Sequence, residues 1–556
     1  MELDLPLLAA GVAGAGLIGA GGTAVRRRLS LSRAKHPSLA GHPRWSRRIA
    51  RLLPAVRYDD DRFFDCDGAP ADIVDRRRAA FDALARTVAE RFARSRTLAA
   101  ETREGLSDLR FTGAYRVPVQ FGERVRDALG VGLFVERSDG FRVSDIDGNA
   151  FLDLSGSYGV NLLGHESYKQ MIAAATERAA PLGPLLGALH PVVSDNVSRL
   201  RALTGLDEVS FHMSGTEAVM QAVQLARYHT GRTHVVRFCG AYHGWWGDVQ
   251  PGIGNPLPAR RTYTLADMSE RALRVLRERT DIACVLVNPL QALHPNAAAP
   301  SDSTLVAGRA VASADRAAYA AWLRKLAALC RDRGIVFILD DVFTGFRLAR
   351  GGAAEYYGVD PDMVTFGKTL GGGLPVGVLV GRARWMRRYR DDRPADVNFA
   401  RGTFGAHPYV MMAMNEFLRR IDGTEGRSSY DSLDARWSAR AEALGARLRE
   451  AGAPLRIAAL STIWCVGHDA PSRYNWMLGH YLRDEGLLLS WVGTGRLIFS
   501  LDYDDDAFAE VSERFVRAAR RMRADGWWWH PPGATDRTVR RGVLRELFRR
   551  RLRRDA

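Results

Sequence analysis

Residues 336–381 read VFILDDVFTGFRLARGGAAEYYGVDPDMVTFGKTLGGGLPVGVLVG. Two short apolar runs, Val336–Leu339 and Met363–Phe366, are each bounded by glycine and polar residues. Runs of that length and setting predict buried strands. The first ends in Asp340 and Asp341; the second leads into Lys368 and a glycine run. The same rhythm extends outward from Leu200 to Gly381, with further strands at Val235–Phe238 and Ala283–Val287 and an intervening helix at Leu323–Arg333. Helix alternating with short apolar strand predicts an α/β fold with a mainly parallel sheet covered by helices on both faces. Phe141–Leu154 (FRVSDIDGNAFLDL) predicts two short strands joined at Asp147-Gly148. After Pro408 the chain reads as helical, then as strands near Leu455–Val466 and Leu487–Leu501, which predicts a small α/β unit built from both flanks of the large one. Ala71–Leu98 alternates charged and apolar residues with helical period and reads as one long surface helix. There is no internal repeat.

The strand ends carry the chemistry, because open α/β sheets bind ligands there. A lysine enclosed among apolar groups has its charged form disfavoured, which frees the amine to attack an aldehyde. The glycines after Lys368 allow close backbone approach. Alone, a lysine beside glycines is more often a solvated loop residue. Asp340 at a strand end can pair with a protonated pyridine nitrogen; a carboxylate capping a helix is the plainer reading. Ser214-Gly215-Thr216 opens a helix predicted over Glu217–Tyr228. Hydroxyls and free N–H groups at a helix start can cradle a phosphate, or simply cap the helix.

The chain has 556 residues, is 46% hydrophobic and 26% charged, and exceeds one ordinary core. Its formal net charge of +16 gathers at the two ends, in Arg26–Arg28, Arg47, Arg48 and the tail from Arg537 to Arg554. Such an excess suits nucleic acid or an anionic membrane. No zinc-finger or RNA-binding signature accompanies it, so no nucleic acid is expected. Five scattered cysteines with no CxxC support neither a disulfide framework nor a metal site. Leu5–Val25 is uncharged and followed by Arg26, Arg27 and Arg28. It is long enough to span a bilayer with its basic side in the cytoplasm, although its glycines also suit a segment packed on the protein. Trp527, Trp528 and Trp529 precede a basic amphipathic stretch with Val539, Val543, Leu544, Leu547, Phe548 and Leu552 at helical spacing. That combination suits a membrane interface or a helix docked on the body. The expected division is an N-terminal anchor (1–28), a helical linker (29–105), the first part of the small domain (106–199), a large domain (200–405), the rest of the small domain (406–525) and a basic Trp-rich tail (526–556). It would hold the body on the cytoplasmic face of a membrane, with the soluble cytoplasm as second choice.

The strings DDVFTGFR and GGAAEYYGVDPDMVTFGKTLGGGLPVGVLVG, in order after SGTEA and AYHG, resemble fold-type I pyridoxal-phosphate enzymes of the class III aminotransferases, particularly the glutamate-1-semialdehyde aminomutase-like members. The resemblance covers about Val135 to Asp502. It implies a seven-stranded-type sheet, pyridoxal 5'-phosphate as cofactor, and a Schiff base on Lys368, which would also move the proton. Asp340 would pair with the pyridine nitrogen, Val342 would pack on one ring face, and Tyr242 would stack on the other, with His243 beside it. Ser214, Gly215 and Thr216 would bind the phosphate. Thr403, in GTFGAHP, would reach the phosphate of the neighbouring subunit, implying a homodimer with shared sites. Gln291 stands where related enzymes contact the cofactor's phenolic oxygen, and Ser157 and Tyr158 match a segment lining the substrate pocket. The aminomutase's carboxylate-binding arginine is loosely echoed by Arg110 or Arg116, for which an exposed arginine paired with Glu123 is the plainer alternative.

The family's Val-Glu-Pro is here Val287-Asn288-Pro289, its Asp-Glu-Val is Asp340-Asp341-Val342, and an insertion spans His294–Asp315. These departures leave three readings. One is amino transfer between an amine donor and a carbonyl acceptor, small or lipidic. Another is an intramolecular amino shift, and the third is a membrane-attached scaffold without catalysis.

Overall fold

The computed structural model describes residues 23–35, 42–52, 56–109, 117–250, 255, 260–293, 315–489 and 496–552. Strands β1 (Val135–Asp139), β2 (Arg142–Asp145) and β3 (Ala150–Asp153) form an antiparallel meander. The β2–β3 turn is the expected hairpin at Asp147-Gly148, where Gly148 takes the φ of 85° that favours glycine.

The large sheet comprises β4 (Glu208–His212), β5 (His234–Phe238), β6 (Thr262–Leu265), β7 (Ile282–Val287), β8 (Val336–Asp340), β9 (Met363–Gly367) and β10 (Gly377–Gly381). Its order is β4-β10-β9-β8-β7-β5-β6. The run from β6 to β9 is parallel, whereas β10 is antiparallel to both β9 and β4. The reversal has a simple cause: a parallel crossover needs about a dozen residues or more, and only residues 368–376 separate β9 from β10. Central strands β7, β8 and β9 are buried throughout, as expected for a sheet covered on both faces. The helix predicted at Leu323–Arg333 begins earlier, at Arg316, because Asp315 caps it by accepting from Ala318 N at 2.9 Å.

The third sheet is antiparallel, β11 (Leu455–Leu460), β12 (Ile463–His468) and β14 (Arg496–Ile498), while β13 (Leu487–Leu488) crosses to pair with β3 in parallel. The N-terminal meander and the C-terminal strands are thereby joined. Their shared core holds Trp437, Trp464, Phe499 and Phe508, with ring centroids 4.8–6.3 Å apart.

Two expectations are corrected here. Ala71–Leu98 is not a single surface helix: it breaks at Phe92 (φ −124°, ψ 31°) into Ala71–Arg91 and Ala93–Thr102. The break lets Phe92 turn inward onto Phe151 at 6.1 Å, and Phe81, Leu84 and Val88 are buried with it. The tryptophan cluster is not an interfacial belt either. Trp527 and Trp528 are buried in the small core, where Trp527 Nε1 donates to Tyr481 Oη at 2.8 Å. The following helix, Asp536–Leu552, docks part of its apolar face, Val543 and Leu547, against Val56. Its Glu546 accepts from Tyr58 Oη at 2.6 Å, Arg62 Nη2 at 2.5 Å and Arg473 Nη1 at 3.1 Å.

Among the described residues no helix is long and apolar enough to cross a membrane. Residues 1–22 of the expected anchor, Arg110, Arg116 and residues 294–314 of the insertion lie outside the described residues. Glu123 pairs with Arg57 at 3.0 Å. The five cysteines are buried free thiols, and the described residues contain no cluster suited to a metal.

Candidate active site

Three segments far apart in sequence meet at the ends of β8 and β9. Pairing of β8 with β9 sets Thr365 opposite Asp340, and the Thr365 hydroxyl donates to Asp340 Oδ1 at 3.2 Å. Val342 N donates to the same oxygen at 3.3 Å, and His243 Nδ1 lies 2.7 Å from Oδ2. Asp340 and His243 are both buried. Burial pushes the His243 imidazole below its usual pKa, against the opposing pull of Asp340.

Lys368 follows β9 with a left-handed φ of 47°. Its Nζ lies 5.4 Å from the centre of the Phe343 ring. Burial lowers its pKa; Asp340 opposes that shift, while Arg347 and Arg496 reinforce it. This is the enclosed lysine that the glycine-rich string predicts, with an amine biased toward its neutral form.

The third segment is the start of the helix Gly215–Thr230. Ser214 caps it, accepting from Glu217 N at 3.3 Å, and Glu217 Oε2 accepts from Met213 N at 2.9 Å. The capping reading of Ser214 is therefore realised, while the first helical turn keeps donors and a positive dipole end for an anion. A Cβ on Gly215 would stand 2.5 Å from Val342 Cγ1, one on Gly367 3.2 Å from the same atom, and one on Gly244 2.7 Å from Thr216 Oγ1. These glycines let SGT, AYHG, Val342 and the Lys368 strand converge.

Tyr242 is exposed, and its backbone is fixed by Asn288, whose Nδ2 donates to the Tyr242 carbonyl at 2.9 Å. That contact gives the Val-Asn-Pro departure a structural role. Gln291 is buried and turns its Nε2 onto the Cys239 carbonyl. Ser157 and Tyr158 belong to a turn, Gly156–Gly159, in which every residue has positive φ. A Cβ on Gly159 would lie 3.3 Å from Lys368 Cδ, so this turn abuts the lysine. Ser157 and Tyr158 also line a cleft of about 460 Å³ with Asp153 and His165. Thr403 is exposed, and the neighbouring Gly402 lies near Glu217, beside the helix start.

Sequence reasoning missed Phe343 and Arg347. Arg347 is fully buried and donates to the carbonyls of Gly159, Asn161 and Phe499 and to Thr462 Oγ1, with no carboxylate among these partners. It locks the Gly156–Gly159 turn to the small domain. The only sequence signal was its place at the end of FTGFR. Arg347→Met is expected to cost about 2–4 kcal/mol in urea unfolding, since each orphaned carbonyl costs about 1–3 kcal/mol and loss of the buried charge offsets part of that.

Asp341 faces away from this centre. It accepts from Thr344 Oγ1 and from Ala353 N, the latter at 2.7 Å, and burial raises its pKa to about 7. With a folded pKa above the unfolded value, near 3.9, the folded chain holds the extra proton. Its contribution to stability is full below about pH 4 and is lost as pH rises to about 7. Unfolding measured across that range is expected to show a falling component that Asp341→Asn removes.

These features fit a pyridine-ring aldehyde phosphate: donors at a helix start for the phosphate, a buried carboxylate for the ring nitrogen, and an amine of lowered pKa for the aldehyde. A family model described as "Aminotransferase class-III" matches residues 125–248 and 311–519, more than half of the chain. The chain belongs to the class-III aminotransferase family. Its cofactor is therefore pyridoxal phosphate. This class-III aminotransferase is 32% identical over 364 residues to a glutamate-1-semialdehyde 2,1-aminomutase of Geotalea daltonii, covering 62% of this chain and 78% of that one. It is 35% identical over 358 residues to the enzyme of the same name from Nitratidesulfovibrio vulgaris, covering 63% and 81%. Among solved structures it resembles a transaminase with PLP bound (TM-score 0.60, 25% identity, covering 76% of this chain and 99% of that one). It shares its fold with a glutamate-1-semialdehyde-aminomutase of Pseudomonas aeruginosa PAO1 in complex with PMP (TM-score 0.63, 18% identity, 81% and 99%). The expected fold-type I architecture is thereby established.

Proposed function

We propose that this enzyme transfers an amino group between an amine or amino-acid donor and a carbonyl acceptor, with Lys368 as the reacting amine. The observation that carries the reading is the meeting of Lys368, the Asp340–His243 pair and the start of the helix Gly215–Thr230 at one sheet edge. Pyridoxal phosphate, when bound, supplies the aldehyde and the electron-withdrawing ring. Lys368 would hold the aldehyde and then, as the freed amine, take the proton from the substrate's α-carbon and pass it to the carbon that came from the aldehyde. Asp340 would keep the ring nitrogen protonated, and His243 would orient Asp340. Val342 and Tyr242 would flank the ring. Gly215 and Thr216, with the Ser214 backbone, would hold the phosphate, and Gln291 would stand by the phenolic oxygen. Ser157 and Tyr158 would face the substrate. Thr403, exposed beside the helix start, would complete the phosphate site of a second copy, so the working form would be a homodimer.

An intramolecular amino shift is the second reading, favoured by the aminomutase names of the relatives at 32% and 35% identity. Visible spectra of the holoenzyme with a panel of amine donors separate the two. A cofactor band bleached by a donor and restored by a keto acid supports transfer. A band that no external donor bleaches, with turnover of a single amino-aldehyde substrate, supports the shift. Absence of any cofactor band after addition of pyridoxal phosphate would leave the scaffold reading.

A further inference from the structure

The chain's excess charge is concentrated on three helices near its ends. Those over 23–34, Pro43–Leu52 and Asp536–Leu552 carry fifteen arginines against two carboxylates, Asp536 and Glu546, which accounts for thirteen of the formal sixteen net positive charges. The rest of the chain is close to balance. Glu546 is turned inward onto Tyr58, Arg62 and Arg473 and does not neutralise the outer face.

The three helices are docked on the body at separate points. The first is docked through Ala34, whose carbonyl accepts from Ala266 N at 2.9 Å. Arg47 of the second donates to the Asn255 carbonyl at 3.1 Å. That helix ends at Leu52, four residues before Val56, against which Val543 and Leu547 of the third are packed. The first helix is buried only at Ala34, the second at Ser46 and the third at Val543 and Leu547, and the other described side chains of each are exposed or half-buried. Exposed arginines number four on the first helix, where Arg26 also pairs with Glu278 of the body at 3.8 Å, three on the second and five on the third. Between them each helix exposes an apolar pair one or two turns apart: Val25 and Leu29, Trp45 and Leu52, Leu544 and Phe548, all between 38% and 62% exposed.

We infer that these three outer faces form a docking surface for an anionic lipid bilayer, with the guanidinium groups at the level of the lipid phosphates and the apolar pairs entering the interface. Charge complementarity argues for a dense array of phosphates. The apolar pairs favour lipid over nucleic acid: aliphatic side chains gain nothing on a phosphate backbone but gain by burial at the acyl boundary. A second copy is the poorer occupant, since two faces of the same sign repel. This surface is independent of the amino-transfer reading.

The test is cosedimentation of the full-length holoenzyme with vesicles of phosphatidylcholine, alone or with one third phosphatidylglycerol. Binding is expected on the anionic vesicles only, and it should weaken steeply with salt. A full-length variant with Arg48, Arg51, Arg545 and Arg549 all changed to Gln should bind several hundredfold more weakly, at about fivefold per basic residue, with its visible cofactor band unchanged. Trp45→Ser with Phe548→Ser should remove the part of the binding that survives high salt. Three results would overturn the inference. One is equal binding to neutral and anionic vesicles, or to neither. Another is undiminished binding by the four-arginine variant, which would move the contact to the uncharged residues 5–22. The third is preference for duplex DNA over anionic vesicles at equal phosphate.

Discussion

Lys368→Ala is expected to yield a folded protein with no measurable turnover, a loss of at least about 10⁴-fold. The size follows from the two roles proposed for this one amine. Proton transfer by a positioned side chain alone supplies about 10²–10⁴-fold, and covalent capture of the cofactor's aldehyde adds to it. The fold should tolerate the change. The left-handed φ of 47° at position 368 disfavours lysine and alanine alike, so the exchange adds no backbone strain, and the truncation removes atoms that lie over Phe343 without touching the bonds of Arg347 or Asp340. Urea unfolding should therefore stay within about 1 kcal/mol of the parent, while amine donors no longer change the visible spectrum in a catalytic cycle. Residual activity within tenfold of the parent would show that the reacting amine lies elsewhere.

The place of Lys368 was legible because it is written locally, in a buried strand, one lysine and a glycine run, while its role as the reacting amine was implied only by the family resemblance. The same holds for Asp340 at the end of β8 and for SGT at a helix start. Each belongs to a strand or helix whose period is written in a few neighbouring residues, and the strand ends of a parallel sheet then gather them. What was not legible was set by packing across the chain. Arg347 looks like any loop arginine until the carbonyls of Gly159, Asn161 and Phe499 surround it. Phe343 became part of the site only because Gly159 leaves room for its ring. The terminal tryptophans were misread because composition alone does not distinguish a membrane interface from a core. Tyr481, Tyr474 and Arg77, distant in sequence, supply the partners that draw Trp527 inside. Ala71–Leu98 failed for a related reason. Helical period continues through Phe92, and the partners that the break gives it, Phe151 and Arg483, lie far away in sequence.

Asp340→Asn is expected to lower kcat by about 10²–10³-fold with little change in KM or in fold, the loss typical of removing one preorganised electrostatic partner. Asparagine keeps the shape of the site and can still accept from Val342 N and Thr365 Oγ1, which hold the side chain now. What it cannot supply is negative charge. A buried carboxylate needs a positive partner, and the bonded neighbours of Asp340 do not provide one: two are neutral donors, and burial biases His243 against its charged form. Under the proposed function, a protonated ring nitrogen on the bound cofactor would supply that positive partner. With asparagine there, the proton on that nitrogen would lose its stabilising charge, so the step that breaks the substrate's C–H bond should slow while binding through the phosphate is retained. A primary deuterium isotope effect that rises in the variant would place the loss at that step. Unchanged kcat would mean that the ring nitrogen is not paired with Asp340. A loss confined to KM would assign Asp340 to substrate binding. Asp340→Ala should be worse than the asparagine variant in both activity and stability, because it also leaves Val342 N and the Thr365 hydroxyl without the acceptor oxygen that asparagine keeps, in a buried setting.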